Sequence, residues 1–127
     1  MAQAAALERR RAADTQRARG LLAGFIRERT EQGIQPRPLR APVVGSATSY
    51  RTGLTGWYLR RNRSLAVDVD GNFYVLGTPA SPKARLFGVR MTPSDPPLIV
   101  GLGARDGESI ALDELLRLRL RERDDQS

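Results

Sequence analysis

Arg60, Arg61 and Arg63 follow directly on Trp57 and Tyr58, in the run GWYLRRNRS from Gly56 to Ser64. Basic side chains interleaved with aromatic ones suit single-stranded nucleic acid, because guanidinium groups track phosphates while rings stack on bases. Arg51 stands a few residues upstream and is expected near the same hairpin tip. A second basic group, Arg9, Arg10, Arg11, Arg17 and Arg19, lies along the first twenty residues and would form an arm for phosphates. The candidate anion- or nucleic-acid-binding set is therefore Arg9, Arg10, Arg11, Arg17, Arg19, Arg51, Trp57, Tyr58, Arg60, Arg61 and Arg63. Each cluster also has a structural reading. A charge run on a helix is commonly a solvated face. A charged hairpin tip blocks edge pairing while its aromatics turn inward.

No catalytic constellation accompanies these residues. The chain has neither histidine nor cysteine, so the commonest general base, the commonest metal ligand and the thiol nucleophile are all missing. Asp95, Asp106, Glu108, Asp113 and Glu114 sit in the last third, at spacings that give no reason to pair any two across a cleft. The run Asp68-Val69-Asp70-Gly71-Asn72 glances at a calcium loop. Aligning Gly71 with that loop's glycine puts Ala66 at the first ligand position and Gly77 at the bidentate one. Gly101-Leu102-Gly103 glances at a dinucleotide loop, but Asp106 occupies the third glycine position and a strand-like run follows. It reads as a hairpin turn. The expectation is a protein that is not an enzyme and uses no cofactor and no metal.

Charge points the same way as the arginine clusters. The formal net charge is +7, and it is uneven. Residues 1–40 carry nine Arg against four acids, whereas residues 85–127 carry seven Arg against eight. A basic front attracts polyanions through its long-range field. Of 21 basic residues only Lys83 is lysine, a bias expected of a high-GC bacterial genome, so the arginine preference is not by itself a sign of bidentate chemistry. The apolar run Leu21 to Ile26 is far short of the ~20 residues that span a bilayer. No apolar signal segment follows Met1, so a cytoplasmic location is expected.

The elements that must position these residues are readable in outline. Residues 3–32 are rich in strong helix formers, and Ala18, Leu21, Leu22, Phe25 and Ile26 fall on one face. Arg19, Arg27, Arg29 and Glu31 are expected to project elsewhere. Gly33, Ile34, Pro36 and Pro38 supply the stop. Residues 3–17 have little to bury and are expected to fray or project. Val43-Val44 and Thr48–Thr52 read as weak strands, with Gly53 and Gly56 marking a bulge or a tight passage against the Trp57 ring.

Trp57–Leu59, Leu65–Val69 and Phe73–Leu76 form a meander, with a two-residue tip at the arginines and a type I′ turn at Asp70-Gly71. Ala84–Met91 alternates like another strand. Leu98–Val100 and Ser109–Leu112 read as a pair, and Asp113 is expected to cap a helix from Glu114 to about Arg123, with an i,i+4 partner in Arg117.

The expected fold is α+β: a mostly antiparallel small sheet or partial barrel of five to seven short strands, packed by a long N-terminal helix and a short C-terminal helix. It forms a single domain over residues 1–127, with 1–17 as an arm and 124–127 as a tail. The expected core is Leu21, Leu22, Phe25, Ile26, Trp57, Leu59, Leu65, Val67, Phe73, Val75, Phe87, Val89, Ile99, Leu112, Leu115 and Leu116. The function expected is a small basic binding module for nucleic acid or another polyanion. The alternative is a protein-interaction or regulatory accessory domain whose N-terminal helix docks on a partner. Expected partners are thus nucleic acid or an acidic protein, with no membrane.

Overall fold

The computed structural model describes residues 2–101 and 108–123. The turn read at Gly101–Gly107 and the tail 124–127 fall largely or wholly outside them. Helix α1 runs from Ala2 to Glu31 and buries Ala18, Leu22 and Phe25 along one stripe. It stops where the glycine and prolines require. The Ile34 amide donates to the Arg29 carbonyl and the Gly33 amide to that of Thr30, the paired bonds of a Schellman cap. Residues 3–14 are exposed at every position. Arg29, expected on the polar side, is instead buried at 1% exposure, because the end of the last helix arrives against it.

Four strands follow as an antiparallel meander in the order β1-β2-β3-β4: Arg37–Pro42, Ser49–Tyr58, Leu65–Asp68 and Phe73–Val75. The two runs expected at Thr48–Thr52 and Trp57–Leu59 are one ten-residue strand, β2. It carries a register shift opposite β1 between Pro38 and Arg40, near Gly53. Gly56 is required by a close approach to backbone, not by the Trp57 ring. A Cβ there would lie 2.1 Å from the Val67 carbonyl oxygen of β3. Val43, expected in an edge strand, makes only an isolated bridge to Thr78.

Both turns differ in type from the expectation. The arginine tip is a longer loop, closed by the Leu59 amide on the Leu65 carbonyl, with Asn62 Oδ1 accepting from the Ser64 amide and hydroxyl. At Asp70-Gly71 only the glycine has positive φ, at 90°. The amide of Gly71 donates to the Asp68 carbonyl and that of Asp68 to the Asn72 carbonyl. This is a three-residue loop built on a glycine bulge, where the Asp68 side chain fixes the turn.

Ala84–Met91 is not a strand. Helix α2 spans Pro82–Phe87, with Ser81 Oγ accepting from the Ala84 amide and Pro82 in the first turn. Ser-Pro at the start and Gly88 at the end are cap signals that outweigh the alternating apolar pattern. Phe87 is consequently 76% exposed, not core. Val75 and Ile99 are exposed too, and Leu21, Ile26, Val89 and Leu115 are half-buried.

Strands β5 (Ile99–Val100) and β6 (Ile110–Ala111) pair as a small second sheet leading into helix α3, Leu112–Leu120. Asp113 does not cap it. The N-cap is Ala111, with no side-chain bond, and the Leu112 amide donates to the Leu98 carbonyl. Asp113 and Glu114 occupy the first turn, where the helix dipole favours them. Among the described residues Asp113 and Arg117 make no ion pair.

The result is α+β, with the four-stranded sheet open, not closed into a barrel. One face packs Trp57, Leu59, Leu65, Val67 and Phe73 against α1 and α3. The other carries Leu39, Ala41, Ala66, Tyr74 and Leu76 under Val89 and Met91. Strand β3 is therefore buried on both faces, and Ala66 and Asp68 lie inside where a half-buried strand was expected.

Gly20 and Gly24 occupy the interior of α1 without need. A Cβ at Gly20 meets nothing within 4 Å, and one at Gly24 meets only the Arg27 guanidinium at 3.6 Å. Replacing both by alanine is expected to raise stability by about 1 kcal/mol per site. A rise of several degrees in thermal midpoint checks it; an unchanged midpoint would mean that α1 frays at these turns.

Candidate nucleic-acid interface

The structure does not gather the tip arginines and aromatics into a stacking platform. Period-2 alternation along β2 sends Trp57 and Tyr58 to opposite faces. Trp57 is only 7% exposed, in the core beneath α1, and its Nε1 donates to the Ile34 carbonyl at 3.0 Å. Tyr58 lies on the other face, half-buried. Its hydroxyl accepts from the Arg40 amide at 2.8 Å, and the Arg63 guanidinium sits 5.5 Å from its ring centre.

Arg61 pairs with Glu122 beyond α3. The hydrogen bond and charge of Glu122 raise the Arg61 pKa, and the hydrogen bond from Arg61 holds the Glu122 carboxyl below its ordinary value. Arg60 lines a groove of about 430 Å³ with Leu59, Leu115 and Leu118. At least two of the three tip arginines are thus occupied within the molecule.

Arg19 pairs with Asp95 at 3.0 Å. Arg9, Arg10, Arg11 and Arg17 are exposed along α1, and none pairs with a carboxylate among the described residues. The buried position of Trp57 has a measurable consequence. Nucleic acid is expected to leave its emission unchanged, whereas urea shifts it to the red. Quenching by an oligonucleotide in the folded protein would contradict the burial.

Arg51 is not near the tip. It is seven positions back along β2, roughly 23 Å at strand rise. There it faces a basic surface that sequence reasoning missed. Arg51 is the direct antiparallel partner of Arg40 on β1, so two like charges stand opposite one another. Such a pair destabilises a sheet unless something holds or neutralises it. Both guanidinium groups are held. Arg40 Nε donates to Ser49 Oγ and Nη2 to the Ser49 carbonyl, each at 2.8 Å. Arg51 Nη2 donates to the Leu86 carbonyl at 2.8 Å, at the end of α2.

Neither arginine meets a carboxylate among the described residues, and each retains further N–H donors. Lys83, Arg85 and Arg90 stand exposed on and just after α2. The signal for this surface was in the acid count. From residue 32 to residue 94 there are nine basic residues and two acids, and one of those, Asp68, is buried.

Between β2 and α2 lies a cleft of about 460 Å³, lined by Arg51, Thr52, Gly53, Phe87, Gly88, Val89 and Arg90. A larger groove of about 750 Å³ runs between α1 and α3, but Glu28 and Asp113 share its lining with arginines. Among the described residues, the β2–α2 cleft combines an exposed aromatic ring with arginines that pair with no carboxylate. Among the described residues no group of carboxylates could hold a metal ion, and no helix is long and apolar enough to cross a membrane.

The class these features define is an open α+β domain with one basic, acid-poor face. No family model, no curated protein and no solved structure matches the chain.

Proposed function

We propose that this chain is a non-catalytic binding module for nucleic acid, acting in the cytoplasm and gripping phosphates on the face formed by β1, β2 and α2. The observation that carries the reading is that, among the described residues, none of Arg40, Arg51, Lys83, Arg85 and Arg90 pairs with a carboxylate, with Arg40 and Arg51 directly paired across the strands. Fixed guanidinium groups with spare donors suit phosphate oxygens. The exposed arginines Arg9, Arg10, Arg11 and Arg17 on α1 add charge to the long-range field.

Fluorescence anisotropy with labelled oligonucleotides tests it. Affinity is expected to fall steeply between about 50 and about 300 mM salt as counterions are released. Replacing Arg40, Arg51 and Arg90 together by glutamine should weaken binding by at least tenfold and lower the salt slope by roughly one per lost phosphate contact. No binding at the lower salt, or full binding by the triple variant, overturns the assignment.

Docking of a partner protein on α1 is the competing reading, favoured by the full exposure of residues 3–14. It requires that removing residues 1–17 abolish a salt-insensitive interaction.

A further inference from the structure

We infer that the cleft between β2 and α2 is a base-stacking site, in which an unpaired nucleobase lies on the Phe87 ring and its phosphates meet Arg51 and Arg90. This rests on the nucleic-acid reading above and names its ligand class as single-stranded. One exposed phenylalanine means little alone. Its setting decides. Phe87 is 76% exposed and forms a wall of a cleft whose other residues include two arginines, a threonine and two glycines. Gly53 and Gly88 contribute backbone without side chains, which leaves room beside the ring.

The ring is also carried on a held support. Ser81 caps α2, the Ser81 amide donates to the Tyr50 hydroxyl at 2.9 Å, and the Arg51 guanidinium and carbonyl bond α2 and Val89 at the other end. A ring so presented loses little freedom when a base covers it, and preorganisation of this kind favours affinity.

Charge selects the ligand. Arg51 and Arg90 line the cleft with Phe87, Lys83 and Arg85 stand exposed on the same short helix as Leu86 and Phe87, and no carboxylate among the described residues pairs with any of these four basic residues. Phosphate and an aromatic face in one ligand describe a nucleotide. A bilayer surface offers phosphate as well, but it needs no cleft, and α2 has only six residues to lay in an interface. The cleft's 460 Å³ lies within the range of small-ligand sites, about 300–1,000 Å³. Bases in a duplex are stacked on both faces, so only an unpaired one can use the ring.

The test uses the full chain and a short oligonucleotide carrying 2-aminopurine, alone and annealed to its complement. Phe87→Ala is expected to weaken single-strand binding by roughly tenfold without changing the salt slope, and to leave duplex affinity unaltered. Phe87→Tyr should restore it. Wild-type protein should quench the 2-aminopurine emission, and Phe87→Ala should not. Because the ring is exposed, the variant is expected to fold, and circular dichroism confirms that.

Salt-sensitive binding that is indifferent to Phe87, or equal for duplex and single strand, overturns the stacking site and leaves phosphate binding intact. Absence of any binding overturns both. Phe87-dependent partition onto phosphatidylserine vesicles, without quenching of the oligonucleotide's 2-aminopurine, assigns the surface to a membrane instead.

Discussion

Replacing Asp68 by alanine is expected to destabilise the fold by about 3 kcal/mol or more, since hydrogen bonds to a charged group contribute roughly 1.5–3 kcal/mol each. Asp68 is 7% exposed and accepts four such bonds. Oδ1 takes the amides of Asp70 and Asn72, each at 2.9 Å. Oδ2 takes the Asn72 side-chain amide at 3.1 Å and the Tyr74 hydroxyl at 3.0 Å. Alanine would leave these donors without their acceptor and would free the β3–β4 turn. Asparagine keeps one acceptor oxygen for the backbone amides, so Asp68→Asn should cost less than half as much. Urea unfolding followed by circular dichroism measures both. A loss under about 1 kcal/mol for alanine would mean that water replaces the carboxylate at little cost.

Tyr74 extends the same test into alkali. Burial raises its pKa first, and the bond to Asp68 adds to the rise. Its neutral form is the one the fold prefers. That contribution is complete below the ordinary phenol range near 10 and is lost as pH rises through the higher folded-state value. Wild-type stability should therefore fall on the alkaline limb, and Tyr74→Phe should flatten that limb while costing the hydroxyl's bond at neutral pH.

Replacing Arg29 by alanine is the second large effect, expected at about 3 kcal/mol, in the range for removing a buried hydrogen-bonded charge. Its Nη1 donates to Gln32 Oε1 and its Nη2 to the Arg119 carbonyl, each at 2.8 Å, while Gln32 Nε2 donates to the Leu120 carbonyl. The last carbonyls of a helix lack intrahelical partners and carry its negative dipole end. Helix α1 thus supplies the C-terminal cap of α3, ninety residues away in sequence. The guanidinium also lies 5.5 Å from the Phe25 ring centre. Lysine would keep the charge and lose the fork, and should recover only part of the stability. Hydrogen exchange offers a second readout: α3 amides should lose protection in Arg29→Ala before those of the sheet. Uniform protection across both would remove Arg29 from any special role at α3.

Much of the fold was written in local pattern. The 3.6-residue spacing of Ala18, Leu22 and Phe25 and the Gly33–Pro36 stop specify α1, because both signals act within a turn or two of the chain. Leu65 and Val67 before Asp70-Gly71 specify a β3–β4 hairpin in the same way, even though the glycine chose a bulged turn over the type I′ form. The α2 caps, Ser81-Pro82 and Gly88, were equally local, but the alternation of Leu86, Gly88 and Arg90 against Phe87, Val89 and Met91 imitates a strand. A six-residue helix shows too few turns for its own period to compete.

The helix–meander–helix order, the basic balance and the lack of histidine and cysteine chemistry are all legible along the chain. These depend on neighbours along the chain or on composition alone. Which charges lie inside and which ring lies outside follows instead from how the elements pack. Arg29 is buried because α3 ends against it, and Trp57 because α1 lies over its face of β2. Arg51 joins Arg40 and Phe87 because antiparallel pairing and α2 bring them together from separate segments. Burial and charge proximity are properties of the elements that meet, and contacts made across dozens of residues leave no period in the sequence.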